Sequence, residues 1–282
     1  MKPIMAATLR EAVRKRTFVV MSVVTALYLV LWTLLLYYYQ DQSARVGELK
    51  PMATLFLSQS GLQFSSMILC LLTIMLGAGA IASDLETGIV HAVLSRPLGR
   101  TEYILGKFAG LAVLTAAYAT ALFALLLLIG RAFSLDTVTS LAFGQILGGW
   151  ILYILVPLCV LCLTMYGSTV LKVVPNGLLM IFLYMVGLIG GMVEMVGGLI
   201  NSVSVTSAGI FVSLVSPFHT LYASAERAIF PSSGIAGQML SGMAGLSGSG
   251  QPASAVMYVY IAAYALVFLG LAVWRFRRID IN

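Results

Sequence analysis

Charge is what this chain has least of. Only 9% of its 282 residues are Asp, Glu, Lys or Arg, and just 10 are acidic. A soluble domain carries about 25% charged residues. No stretch of the chain is polar enough to be one. With 60% hydrophobic residues and a mean hydropathy of +1.01, it reads as a polytopic membrane protein. Cysteine is scarce as well. Cys70, Cys159 and Cys162 all lie inside apolar runs, and an odd set placed there excludes a disulfide framework. The two histidines, His91 and His219, are isolated, so no Ser/His/Asp set converges and no catalytic site is expected. A P-loop is missing too. Gly106-Lys107 is followed by Phe108, and Thr101 stands where that motif needs its first glycine. The opening residues MKPIMAATLREAVRKR are not expected to be a signal peptide. Their charged stretch is too long, and no small-residue cleavage site follows.

What the chain has in abundance is long uncharged runs. A bilayer core needs about 20 apolar residues in a helix. Residues 17–39, 62–83, 108–130, 143–168, 177–199 and 254–274 each suffice. The expected fold class is therefore all-α, with residues 1–282 forming one transmembrane domain of six spans. Six spans place both termini on one side. Of the 16 basic residues, 12 belong to that side: Lys2, Arg10, Arg14, Lys15 and Arg16 before the first span, Arg275, Arg277 and Arg278 after the last, and Arg96, Arg100, Lys107 and Lys172 in even-numbered loops. Arg45, Lys50, Arg131 and Arg227 lie opposite. Basic residues accumulate in cytoplasmic loops, so both termini are expected inside the cell, in the cytoplasmic membrane of a bacterium or archaeon. Tyr37, Tyr38 and Tyr39 close the first span outside and Trp274 the last inside, as interfacial anchors do. This distribution accounts for the net charge of +6 without nucleic acid.

Two further segments have a pattern. On a helix over residues 1–16, Met5, Leu9, Ala12 and Val13 share one face and Arg10 and Arg14 the opposite one. That suits a helix lying in the inner interface, its arginines towards anionic lipid. A plain charged flank is the simpler alternative. Residues 200–253 form a long loop, uncharged until Glu226, in which the apolar run Ala208–Val215 ends at Pro217. A run that short does not span. It re-enters the outer leaflet or lies on it. Residues 240–252, LSGMAGLSGSGQP, read as a flexible linker.

The most informative stretch is residues 84–107, DLETGIVHAVLSRPLGRTEYILGK, a polar island between two spans. Ser83 and Glu86 fit the S-x-x-E capping box ahead of an apolar run at Ile89–Leu94. Asp84 and Glu86 fall in the first turn, where the helix dipole favours acids. Arg96 precedes Pro97, which stops a helix near Ser95. Pro97-Leu98-Gly99 makes a turn, and Thr101 is placed to cap a return helix through Tyr103 and Lys107. The spacing thus predicts a helix over 84–94 with Leu85, Ile89 and Val93 on one face, flanked by Val90 and Leu94. An apolar ridge of that kind packs on lipid, on another span or on a partner.

Glu86-Thr87-Gly88, Leu94-Ser95-Arg96-Pro97, Arg100 and Leu105-Gly106-Lys107 resemble the cytoplasmic loop of ABC-2-type exporter permeases. Those of nitrous-oxide-reductase maturation and of sodium or bacteriocin-immunity export are similar. The chain departs from the pattern with Thr87-Gly88 where many members have Gly-Thr, and with His91 in the apolar run. The resemblance implies a permease subunit paired with a second permease, the same chain or a related one. It implies a separate cytoplasmic ABC ATPase that binds ATP and Mg. Asp84–Leu94 would then be the coupling helix. Asp84, Glu86, Thr87, Ile89, Val90, Val93 and Leu94 would meet the ATPase, together with Arg96 and Arg100. Outward transport by alternating access, driven by that ATPase, is the implied function. The alternative is a non-transporting membrane anchor or assembly subunit of the same architecture. LSGSGQ at residues 246–251 resembles the ATPase motif LSGGQ, but span parity puts it outside, away from ATP.

Other signals have plain alternatives. Cys159 and Cys162 form C-x-x-C within the fourth span. Thiolates there could bind a soft metal, but such sites usually lie in loops with two further ligands. Small residues in a packed helix are the plainer reading. Gly144/Gly148, Gly187/Gly191 and Gly197/Gly198 allow close helix approach, between permeases or within one. Glu194 is the only acid well inside a span. Acids there default to a functional role, here a place on the transport pathway. Glu194 also lies near the outer end, where snorkelling makes a charge cheap. An apolar lining favours amphipathic or lipid-like cargo, peptides or drugs over bare ions. The expected outcome of Glu194→Gln is unchanged transport and stability in reconstituted vesicles. Loss of transport at normal stability would put Glu194 on the pathway.

Overall fold

A backbone at membrane depth has no water to bond to, so its amides must be satisfied by helices or a closed barrel. The structure, a computed structural model, describes residues 2–46, 50–88, 99–200, 202–230 and 255–278. Among them every regular element is a helix. Six are long and apolar enough to cross a membrane. The fold is an all-α polytopic membrane protein.

The spans are α2 (Arg16–Val46), α3 (Lys50–Ala78), α5 (Arg100–Ala132), α7 (Phe143–Ser168), α8 (Val173–Leu199) and α11 (Ala255–Arg277). Short helices precede or join them: α1 (Lys2–Arg14), α4 (Ala82–Glu86), α6 (Asp136–Thr139), α9 (Val203–Val215) and α10 (Phe218–Ile229). The second span, expected to start at residue 62, starts a dozen residues earlier because its polar stretch points inward. Ser58, Gln59, Ser60, Gln63, Ser65 and Ser66 are all buried. Ser65 Oγ lies 2.9 Å from Tyr153 Oη, and Ser58 Oγ lies 2.7 Å from Thr137 Oγ1. Polar groups at this depth pair with one another instead of with lipid.

Helices α3 and α7 form the centre of the bundle. Leu69, Cys70 and Ile74 of α3 pack with Tyr153, Val156, Cys159 and Val160 of α7 in the larger of two apolar cores. A second core gathers Ala12, Leu72, Leu76, Ile81, Tyr103, Ile104, Leu161 and Phe276. Helix α1 joins it by lying against α5. A Cβ at Gly110 would fall 2.9 Å from both the Met5 carbonyl oxygen and Thr8 Cβ. That bare groove sets the rotation of α1. Thr8 and Ala12 are buried, while Arg10 and Arg14 are exposed. Val13, expected on the apolar face, is 44% exposed because Thr8 occupies the groove.

The long loop after α8 turns back into the protein. Helices α9 and α10 are bent by 102° at Ser216-Pro217. Gly197 meets Thr206, Gly209 meets Glu194, Gly190 meets Val212 and Gly187 meets Ser216. Helix α9 therefore runs antiparallel along α8, to a depth about 18 Å back from its end. Helix α10 then passes over Gly191 at His219 and reaches Gly149, in the second turn of α7, at Ile229. A short turn at residues 169–172 joins α7 to α8 at their other ends. The pair thus starts and ends on one face of the bundle, as a bent hairpin packed along α8. Gly187, Gly191 and Gly197 are consequently used within the subunit, whereas Gly144 and Gly198 have nothing within 4 Å. Tyr260 and Tyr264 of α11 brace the bend by donating to the Leu214 and Val215 carbonyls at 2.7 and 3.2 Å.

The hairpin predicts a contrast between two glycines. A Cβ at Gly191 would lie 2.2 Å from His219 Nδ1, while Gly270 faces open space. Gly191→Val should cost at least about 1–3 kcal/mol through overpacking. Gly270→Val should be neutral. Thermal unfolding of the detergent-solubilised variants measures the difference.

Candidate functional site

Helix α3 ends at Ala78, and the chain makes a tight turn before α4 begins at Ala82. A break of this kind frees the first amides of the new helix. Ile81, at the N-cap position, offers no side-chain acceptor. The acceptor comes from another helix. Ser168 Oγ, at the end of α7, accepts from the Ile81 and Ala82 amides at 3.0 and 2.9 Å and donates to the Ala78 carbonyl at 3.0 Å. Asn176 of α8 donates to the Ala78 and Thr164 carbonyls at 3.4 and 3.1 Å. Ser168, Asn176 and their partners are shielded from solvent.

The capping box expected at Ser83 and Glu86 does not form. Ser83 Oγ donates back to the Gly79 carbonyl, and Glu86 is exposed. Helix α4 begins at Ala82 with Ile81 at the N-cap position, so Ser83 lies inside the helix and its amide bonds to the Gly79 carbonyl instead. Nor does one helix cover 84–94. Gly88 has φ 71°, a left-handed conformation that side chains rarely adopt and that ends helices. Residues 89–98 lie outside the described ones, and with them Ile89, Val90, Val93, Leu94 and Arg96. The LSGSGQ segment at 246–251 lies outside them too. Thr101 does not cap the return helix. Gly99 occupies the N-cap position of α5 without a side-chain bond, and Thr101 lies inside the first turn.

Asp84 is turned away from solvent, only 5% exposed. Its Oδ2 accepts from Lys107 Nζ and from Tyr103 Oη, both on α5. Lys107, also 5% exposed, donates in addition to the Ala80 carbonyl at 2.6 Å. Two charges removed from water are tolerated when each is paired and hydrogen-bonded in this way. The Tyr103 ring stacks on Phe276 of α11 with centroids 5.7 Å apart. Arg100 Nη1 donates to the Arg277 carbonyl at 2.8 Å. Asp84 and Arg100, both expected to face a partner, are therefore engaged inside the subunit. Glu86 and Thr87 are the expected contact residues that stand exposed. Thr87 Oγ1 donates to the Ser83 carbonyl at 2.8 Å.

A model of the ABC-2 family of transporter proteins matches residues 3–281. The chain belongs to that family. No curated protein matches it. An ABC-2 permease works in the membrane with an ABC ATPase, so the buried network lies at the root of the segment that resembles the family's docking loop. Sequence reasoning singled out Asp84, but for a partner contact, and missed the residues that meet it. Lys107 was legible only as part of the return helix, and Ser168 as the last residue of a span. The one available signal was that Asp84 and Lys107 stand at the facing ends of consecutive spans.

Glu194 lies apart from this network, half-buried where α8 crosses α9 at Gly209. It is within electrostatic reach of Arg227 on α10. Cys159 and Cys162 are buried on α7.

Ser168 carries a prediction of its own. In Ser168→Ala the Ile81 and Ala82 amides lose a buried acceptor, which should cost about 1–3 kcal/mol. Thr169→Ala removes a hydroxyl that bonds only within its own turn, to the Tyr166 carbonyl, and should stay near wild type. Thermal unfolding of the purified permease measures both.

Proposed function

We propose that this permease is the membrane subunit of an ABC exporter. Two copies of the chain form the translocating unit, and each docks a separate cytoplasmic ATPase through the loop from Glu86 to Arg96. The observation that carries the reading is an exposed Glu86-Thr87 step mounted on a buried, charge-locked base, in a chain of this family. A loop that only joined two spans would need no such anchor. The concentration of Lys and Arg at the termini and in this loop supports a cytoplasmic position.

ATP and Mg bind on the ATPase. ATP binds one state of the assembly better and shifts the population towards it. The docked loops pass that preference to the spans, which rock between inward and outward openings. In this chain Glu86 and Thr87 supply polar contacts, and Ile89, Val90, Val93, Leu94 and Arg96 complete the docking surface. The cargo is an amphipathic or lipid-like molecule. A groove of about 530 Å³ between α7, α8, α9 and α11, lined by Tyr166, Leu183, Phe211, Tyr264 and Phe268, supports that class. Such a lining binds apolar bodies and gives a bare ion nothing to replace its hydration shell.

Charge reversal at Glu86, or Val90→Pro, should abolish co-purification of the ATPase and leave membrane insertion intact. Normal complex yield in both variants would remove residues 84–94 from the docking surface.

A further inference from the structure

The ties at the root of the docking loop lead to different helices. On one side, Ser168 fastens the α3–α4 break to α7, and Asn176 fastens it to α8. On the other, Asp84 fastens α4 to α5 through Lys107 and Tyr103. From there Tyr103 stacks on Phe276, and Arg100 reaches the Arg277 carbonyl, so the end of α11 is joined to the start of α5. Helix α4 has only five residues. With no length in which to bend, it turns as a unit. On the loop side Gly88, with φ 71°, ends it. The Asp84–Lys107 pair resists separation, because each buried charge would be left with no water to replace its partner.

We infer that Asp84 and Lys107 are positioning residues of the transport cycle. They carry displacement of the docking loop to α5 and α11, while Ser168 holds the fulcrum at α7. This rests on the ATPase docking proposed above. The moving parts are then defined: α5 and α11 shift together relative to the α7–α8 turn.

The test uses the permease–ATPase complex in nanodiscs, with Cys70, Cys159 and Cys162 replaced by alanine. Nitroxide labels at the exposed positions Lys172 and Arg278 report the α8 and α11 ends. Their distance is measured by pulsed electron resonance, nucleotide-free and after trapping with ATP and vanadate. The parent complex should show a shift between the two conditions. Asp84→Asn and Lys107→Met should retain the ATPase and its hydrolysis but lose the shift. The exchange Asp84→Lys with Lys107→Asp should restore it. A merely structural role would lower thermal stability without separating hydrolysis from movement. An undiminished shift in Asp84→Asn overturns the inference. Should Asp84→Asn fail to insert, Lys107→Met decides: a lost shift at retained hydrolysis supports the inference, and an unchanged shift overturns it. A parent complex with no bound ATPase overturns the docking reading and this inference with it, whereas one that binds the ATPase but shows no shift overturns this inference alone. A parent shift that survives in Asp84→Asn overturns this inference alone.

Discussion

Helix α3 can stop at Ala78 only because something replaces the hydrogen bonds its continuation would have made. Amides left without partners in a water-poor interior are costly. Ser168 removes that cost for Ile81 and Ala82. Once the break is closed from α7, the chain direction after it is set, and α4 delivers Asp84 to α5. The ion pair with Lys107 follows from that direction, and so does the stacking of Tyr103 on Phe276. One hydroxyl thus precedes a chain of contacts that ties α3, α4, α5, α7 and α11 together.

The same demand for internal partners shapes the other membrane face. The hairpin of α9 and α10 needs a wall it can approach closely, and the glycines of α8 provide it. With Gly187, Gly190, Gly191 and Gly197 consumed in this contact, that face of α8 belongs to the subunit's own interior. The polar stretch of α3 is handled alike. Its serines and glutamines turn inward, and Ser58 and Ser65 meet hydroxyls from α6 and α7. Lipid is left with the apolar faces of α2, α8 and α11, where most of the exposed large hydrophobic residues lie.

These contacts give the segment that leaves α4 a firm root. The root is charged yet sealed from water, an arrangement that resists shear better than apolar packing alone because opening it strands two charges. On the loop side Gly88, with its left-handed backbone, ends α4.

The six spans, the all-α class and the family pattern at 84–107 were legible in the sequence, because long apolar runs and short motifs are local properties. The fourth span, residues 143–168, coincides with α7 to the residue. Helix α1 was legible except for its rotation, which Gly110 on α5 sets. The capping box at Ser83 and Glu86 was legible but not used, since the break after α3 starts α4 at Ala82 and leaves Ser83 inside the helix. What the sequence by itself determined is which segments cross the bilayer. That choice is a transfer free energy summed over neighbouring residues. What only the tertiary structure decided is who partners the buried polar groups. Asp84 and Lys107, Ser168 and the α3–α4 break, and Gly191 and His219 meet across helices, and no local pattern encodes the distance between them.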